Sequence, residues 1–105
     1  MDADAAEQRA IAVLREIEDP DQPLALYPTP PTEFEWCWLF PFNTVTAIDG
    51  DFMSSLMTGP VVVPKGGADP WIAPSSPPVE RWLNEYAERE GLPALPVPVL
   101  ENPFA

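Results

Sequence analysis

The residues able to do chemistry in this chain are few and scattered. Asp49-Gly50-Asp51 places two carboxylates two positions apart, a spacing that some metal sites use. A hard cation such as Ca²⁺ takes about 6–8 oxygens, and no graded acidic loop surrounds this pair. The Asp-Gly step reads instead as a hairpin turn with a flanking acid. Cys37, the single cysteine, stands between Trp36 and Trp38. Nothing basic lies close by to lower its pKa, so it reads as a small packing residue and not a nucleophile. Alone, it builds neither an internal disulfide nor a multi-thiolate zinc site. Histidine is absent, which excludes a His-based triad, a His general base and a His metal ligand. Gly66-Gly67 lacks the spacing and the Lys-Ser/Thr of a phosphate loop. No pair of acids sits on an apolar strand at a spacing that would drive their pKa values apart. No catalytic set is legible, and no cofactor or metal is expected. The chain reads as a binding protein, not an enzyme.

Charge narrows the class of partner. The chain has 105 residues and a mass of 11.6 kDa, enough for one domain. A chain of this size buries roughly two-thirds of its unfolded surface. It carries 5 Lys plus Arg against 17 Asp plus Glu, a formal net charge of −12. Binding of nucleic acid through phosphates needs clustered cations, so this balance argues against it. An anionic membrane surface is disfavoured for the same reason. The N-terminus is acidic (Asp2, Asp4, Glu7), the reverse of a signal peptide's basic region. No apolar run reaches the roughly 18 residues of a spanning helix. A cytoplasmic location is expected.

The elements that must hold any binding surface follow from periodicity. Residues 3–18 predict a helix, with Ala6, Ala10, Val13, Leu14 and Ile17 on one stripe of period 3.6. Asp4 and Glu7 form a capping-box pattern, and Asp19-Pro20 ends the helix. Prolines at 23, 28, 30 and 31 leave room for a short edge strand at 24–27. Residues 33–42 give the strongest alternation, with Phe34, Trp36, Trp38, Phe40 and Phe42 at every second position. They predict one strand with five aromatics on one face and Glu33, Glu35, Cys37 and Leu39 on the other. Residues 43–48 continue as β-type sequence, and a return strand is expected at 52–57 after the Asp49-Gly50 turn. Val61-Val62-Val63 and Trp71-Ile72-Ala73 predict two further short strands.

A second helix is framed by Ser76 as N-cap, Pro77 at the first position and Gly91 as the C-cap glycine. Its seam is Val79, Trp82, Leu83 and Tyr86. The fold class expected is α+β: an antiparallel meander of three to five strands packed by an N-terminal and a C-terminal helix, both on the aromatic face. Residues 1–91 form the single domain, and residues 92–105 form a Pro-rich, extended tail.

The order of these elements is similar to the immunity protein 35 (YrhB-like) family of small bacterial proteins. The resemblance rests on the first helix, the strand Phe34-Glu35-Trp36-Cys37-Trp38-Leu39-Phe40, and Gly59-Pro60-Val61-Val62-Val63. The turn Lys65-Gly66-Gly67, the strand at Trp71 and the helix from Val79 to Tyr86 complete it. Two departures stand out: Pro64 replaces a residue that is usually polar, and the Pro-rich tail lies beyond the shared region. The resemblance implies a non-enzymatic antidote of a polymorphic toxin system, which blocks a cognate toxin domain by stoichiometric binding. A chaperone-like role is also attached to the group, and the aromatics and the Pro-rich tail point to a chaperone or scaffold for other polypeptides as the alternative. The charge separately admits an acidic mimic of nucleic acid. A net charge of −12 suits a basic toxin, because complementary charge speeds association. Five acids are expected to line part of the partner site: Glu33 and Glu35 opposite the aromatic row, Asp49 and Asp51 at the turn, and Asp69 before Trp71.

Overall fold

The computed structural model describes residues 2–51, 53, 55–75 and 79–95. Helix α1 (Ala3–Ile17) is capped by Asp2, whose carboxylate accepts from the Ala5 N–H at 2.8 Å. The cap therefore lies two residues ahead of the predicted Asp4. Asp4 falls in the first turn, where its charge favours the helix dipole. The helix stops at Glu18, before Asp19-Pro20. There Glu18 accepts from Arg15 at 2.8 Å and from the Leu24 N–H at 3.0 Å, while Arg15 donates to the Leu24 carbonyl. That cluster hands the chain to β1 (Leu24–Leu26), the short strand expected between the prolines.

The long aromatic strand predicted at 33–42 does not exist as one element. It is divided into β2 (Thr32–Glu33), β3 (Cys37–Phe40) and β4 (Phe42–Thr44). β2 and β3 form a hairpin with Glu33 opposite Trp38, and the Phe34 N–H donates to the Cys37 carbonyl at 2.8 Å to close it. The turn passes through Phe34-Glu35-Trp36, which has no Gly, Pro, Asn or Asp to announce it. Burial of Trp36 and half-burial of Phe34 hold it instead. Pro41 then interrupts the ladder, since it has no N–H to give. Beyond it β4 pairs with β1 in a separate two-stranded sheet.

The larger sheet has the order β2-β3-β5-β6 and is antiparallel throughout, with β5 at Val61–Pro64 and β6 at Trp71–Ile72. Residues 43–48, predicted as β-type, divide: Asn43 and Thr44 finish β4, and Val45–Ile48 forms the short helix α2. Thr44 caps α2 by accepting from the Ala47 N–H at 3.1 Å. Asp49-Gly50 is thus the end of a helical turn and not a hairpin, with Gly50 at φ 114°. No strand occurs among the described residues between 51 and 60; Phe52 and Ser54, part of the expected return strand at 52–57, lie outside them.

Helix α3 (Val79–Glu90) ends as predicted at Gly91, whose φ of 69° lets the Leu92 N–H reach back to the Ala87 carbonyl at 2.8 Å. The predicted cap residues Ser76 and Pro77 lie outside the described residues, as do residues 96–105 of the tail. Residues 92–95 are strapped down. Asn84 exchanges two hydrogen bonds with the backbone of Leu95, the Trp36 indole donates to the Pro93 carbonyl at 3.0 Å, and Leu95 is buried.

The chain is an α+β protein with antiparallel sheets and helices at each end. The two helices pack on opposite faces of the larger sheet and not together on one. Alternation along β5 shows this: Val61 and Val63 join Ala6, Ala10, Leu14, Phe40 and Phe42 beneath α1. Val62 joins Trp36, Cys37, Leu39, Leu83 and Ala87 beneath α3. Cys37 and Leu39, expected on an outer face, are therefore core residues.

Candidate partner-binding surface

With both faces of the sheet covered, a partner is left with edges, ends and loops. All five acids singled out in the sequence are exposed, and the topology separates them into two groups. Cys37 pairs with Pro64 at one end of the β3–β5 ladder, so the β2–β3 turn and the β5–β6 loop share that end. Glu33, Glu35 and Asp69 belong there. Phe40 pairs with Val61 at the other end, where the chain leads through β4 and α2 to Asp49 and Asp51.

At the first end, Glu33 is engaged. Being opposite Trp38, it projects to the same face as that ring, contrary to the expected opposite face. Its carboxylate accepts from the Lys65 ammonium at 2.6 Å, and that ammonium also sits 5.1 Å from the centre of the Trp38 ring. The only lysine of the chain is thus held by an anion and a π-face together. Glu35 stands at the exposed tip of the turn. Asp69 lines a groove of about 440 Å³ against Arg9, Val13 and Glu16 of α1.

The second end presents a different chemistry. The Asp51 carboxylate accepts from the Met53 N–H at 3.1 Å, and the following loop carries Met53, Leu56 and Met57 at 95%, 38% and 93% exposure. Asn43 is buried and turns its amide on this loop. Its Oδ1 accepts from the Leu56 N–H at 2.8 Å, and its Nδ2 donates to the Ser55 hydroxyl and the Leu56 carbonyl. A cavity of about 240 Å³ opens beside it between the two sheets, walled by Tyr27, Pro41, Phe42, Asn43 and Thr58. The strand expected at 52–57 gives no reason to single out Met53 and Met57 as surface residues. The signal against that strand was local, since 52–57 shows no alternation of polar and apolar residues.

No group of three or more Cys, Asp or Glu gathers among the described residues in a way that could hold a metal. Cys37 is fully buried, and burial pushes its thiol from an ordinary 9.0 up to about 12, with Lys65 pulling weakly the other way. The native thiol is expected to ignore a disulfide reagent at pH 8 and to react at once in urea. Because the unfolded chain gives up this proton at lower pH than the folded one, stability is fully present below pH 9.0 and falls as pH rises toward about 12. The shallower alkaline loss of a Cys37→Ala variant in urea melts checks the assignment, since Tyr86, also raised by burial, contributes the same sign in both proteins.

No helix among the described residues is long and apolar enough to cross a membrane. A sequence model of one protein family, described as Immunity protein 35, matches residues 4–85. No curated protein and no solved structure matches the chain.

Proposed function

The chain belongs to the Immunity protein 35 family, and from that premise we propose that it neutralises a cognate bacterial toxin by binding it stoichiometrically, without catalysis, in the cytoplasm. The family match carries the reading, because it runs from the first turn of α1 into α3 and so takes in both sheets. Charge supports a basic toxin. No Lys or Arg occurs between Arg15 and Lys65, a stretch that includes β1–β4, α2 and the Met53 loop. The field over that surface attracts cations and repels phosphate. The reading needs no cofactor and no nucleic acid.

Co-expression with the open reading frame beside this gene tests the proposal directly. Rescue of growth and a one-to-one complex are the expected results; a neighbour that is neither toxic nor bound overturns it. Suppression of aggregation of unrelated polypeptides at substoichiometric ratios would point to the chaperone role instead.

The acids give a second measurement. Replacing Glu33, Glu35, Asp49, Asp51 and Asp69 by Gln or Asn is expected to keep the fold and to slow association at low salt by about tenfold or more. Glu33 contributes least to this, since Lys65 already partners it. An association rate that stays the same across an ionic-strength series would remove these acids from the interface.

A further inference from the structure

We propose that Met53 and Met57 are the apolar anchor of the interface, entering an apolar recess rimmed by Lys and Arg on a basic polypeptide partner. The inference rests on the toxin-binding reading and locates its contact surface. A single exposed apolar side chain is ordinary in a folded protein. Here two methionines and Leu56 are exposed within five residues of one loop.

Met53, Ser55 and Leu56 are each tied by a hydrogen bond. A buried primary amide is costly to desolvate unless its hydrogen bonds are made, and Asn43 uses both ends of its amide on Ser55 and Leu56. Asp51 secures the other side through the Met53 N–H. Leu56, next to Met57, is thus held to the sheet before any partner arrives, and groups held in place in advance lose less entropy on binding. Methionine is suited to the place, because its unbranched, polarisable side chain fills irregular apolar recesses.

Charge identifies the occupant. Asp49 and Asp51 immediately precede the methionines, and no cation occurs in the sequence from residue 16 to 64. A second copy of this chain brings another net charge of −12 to the same surface and is repelled. Anionic lipid and nucleic acid are repelled likewise. A polypeptide with an apolar recess and a cationic rim complements both features at once.

The test uses the polypeptide encoded beside this gene, inactivated in its toxic activity, titrated calorimetrically at low and high salt. The Met53→Ser/Met57→Ser variant is expected to bind at least about 30-fold more weakly at both salt concentrations, the loss typical of a truncated anchor. Met53→Leu/Met57→Leu, which keeps the apolar volume, restores most of the affinity. Asp49→Asn/Asp51→Asn weakens binding at low salt alone. Circular dichroism of the variants stays native, because both methionine side chains are almost fully exposed. Serine variants that bind within about threefold of the wild type overturn this site and leave the toxin-binding reading standing. Failure of the wild type to bind overturns both. Self-association that disappears in the serine variant replaces the basic partner by a second copy and also overturns the proposal.

Discussion

Replacing Trp36 by alanine is expected to destabilise the protein by about 3–5 kcal/mol, the cost of removing a large buried ring from a close-packed core. Three structural roles converge on this side chain. Its ring stacks on Tyr86 of α3 at 5.5 Å between centroids, and Tyr86 stacks in turn on Trp71 of β6 at 5.2 Å. It fills the turn between β2 and β3, and its indole N–H holds the Pro93 carbonyl at 3.0 Å. Truncation therefore loosens the sheet edge, the α3 face and the strap at 92–95 together. Domains of this size are stable by about 5–15 kcal/mol in all, so the variant sits near the limit of folding. Urea melts measure the loss. Trp36→Phe separates the contributions, since it keeps ring packing and forfeits the bond to Pro93; a cost of about 1–3 kcal/mol is expected from the orphaned polar group and the smaller ring. An alanine variant as stable as the wild type would remove Trp36 from its place as the linchpin of the α3 side.

Gly59→Ala is the second large effect, and its cause is steric. A Cβ at this position overlaps the Ala73 carbonyl oxygen and comes within 2.7 Å of the Pro74 carbonyl oxygen. Both obstacles are backbone, so no rotamer change relieves them. The same carbonyl of Ala73 accepts from the Gly59 N–H at 3.0 Å, and the Ala73 N–H donates to the Pro60 carbonyl. These bonds carry the pairing of β5 and β6 beyond its last ladder residues, Val61 and Ile72. Relief of the overlap must part them, at a cost of about 3 kcal/mol, the upper end for overpacking. Gly66→Ala is the control. Nothing lies within 4 Å of its Cβ direction, and removing a glycine from the unfolded chain there stabilises by about 0.4–1 kcal/mol. Equal thermal midpoints for the two variants would contradict the packing at Gly59.

The alternation at 33–42 was correct residue by residue within β3, where Trp38 and Phe40 face α1 while Cys37 and Leu39 face α3. It misled as a statement about length. Periodicity of two says which neighbours share a face and is silent about where a strand folds back. The turn at Phe34-Glu35-Trp36 exists because α3 and the strap at 92–95 cover those rings, and both lie more than 40 residues away in the chain. The described residues of the expected strand at 52–57 form no strand, for a related reason. Asn43 bonds to Ser55 and Leu56 as a neighbouring strand would, so a side chain satisfies groups that the sequence reading assigned to a ladder.

The order of motifs from α1 to α3 does not depend on where the aromatic strand folds back, and the family match at residues 4–85 covers that order. Local chemistry settled what depends on neighbours in the chain. The stripe of α1, the stop at Gly91, the short strands at β1, β5 and β6, the α+β class and the acidity could all be read from residues a few positions apart. Tertiary structure alone decided which face each helix covers, that Glu33 serves Lys65, and that Met53 and Met57 stand in water. Those outcomes hang on pairs such as Glu33 with Lys65 and Asn43 with Leu56, whose energies exist only once the sheet has brought distant segments within hydrogen-bonding range.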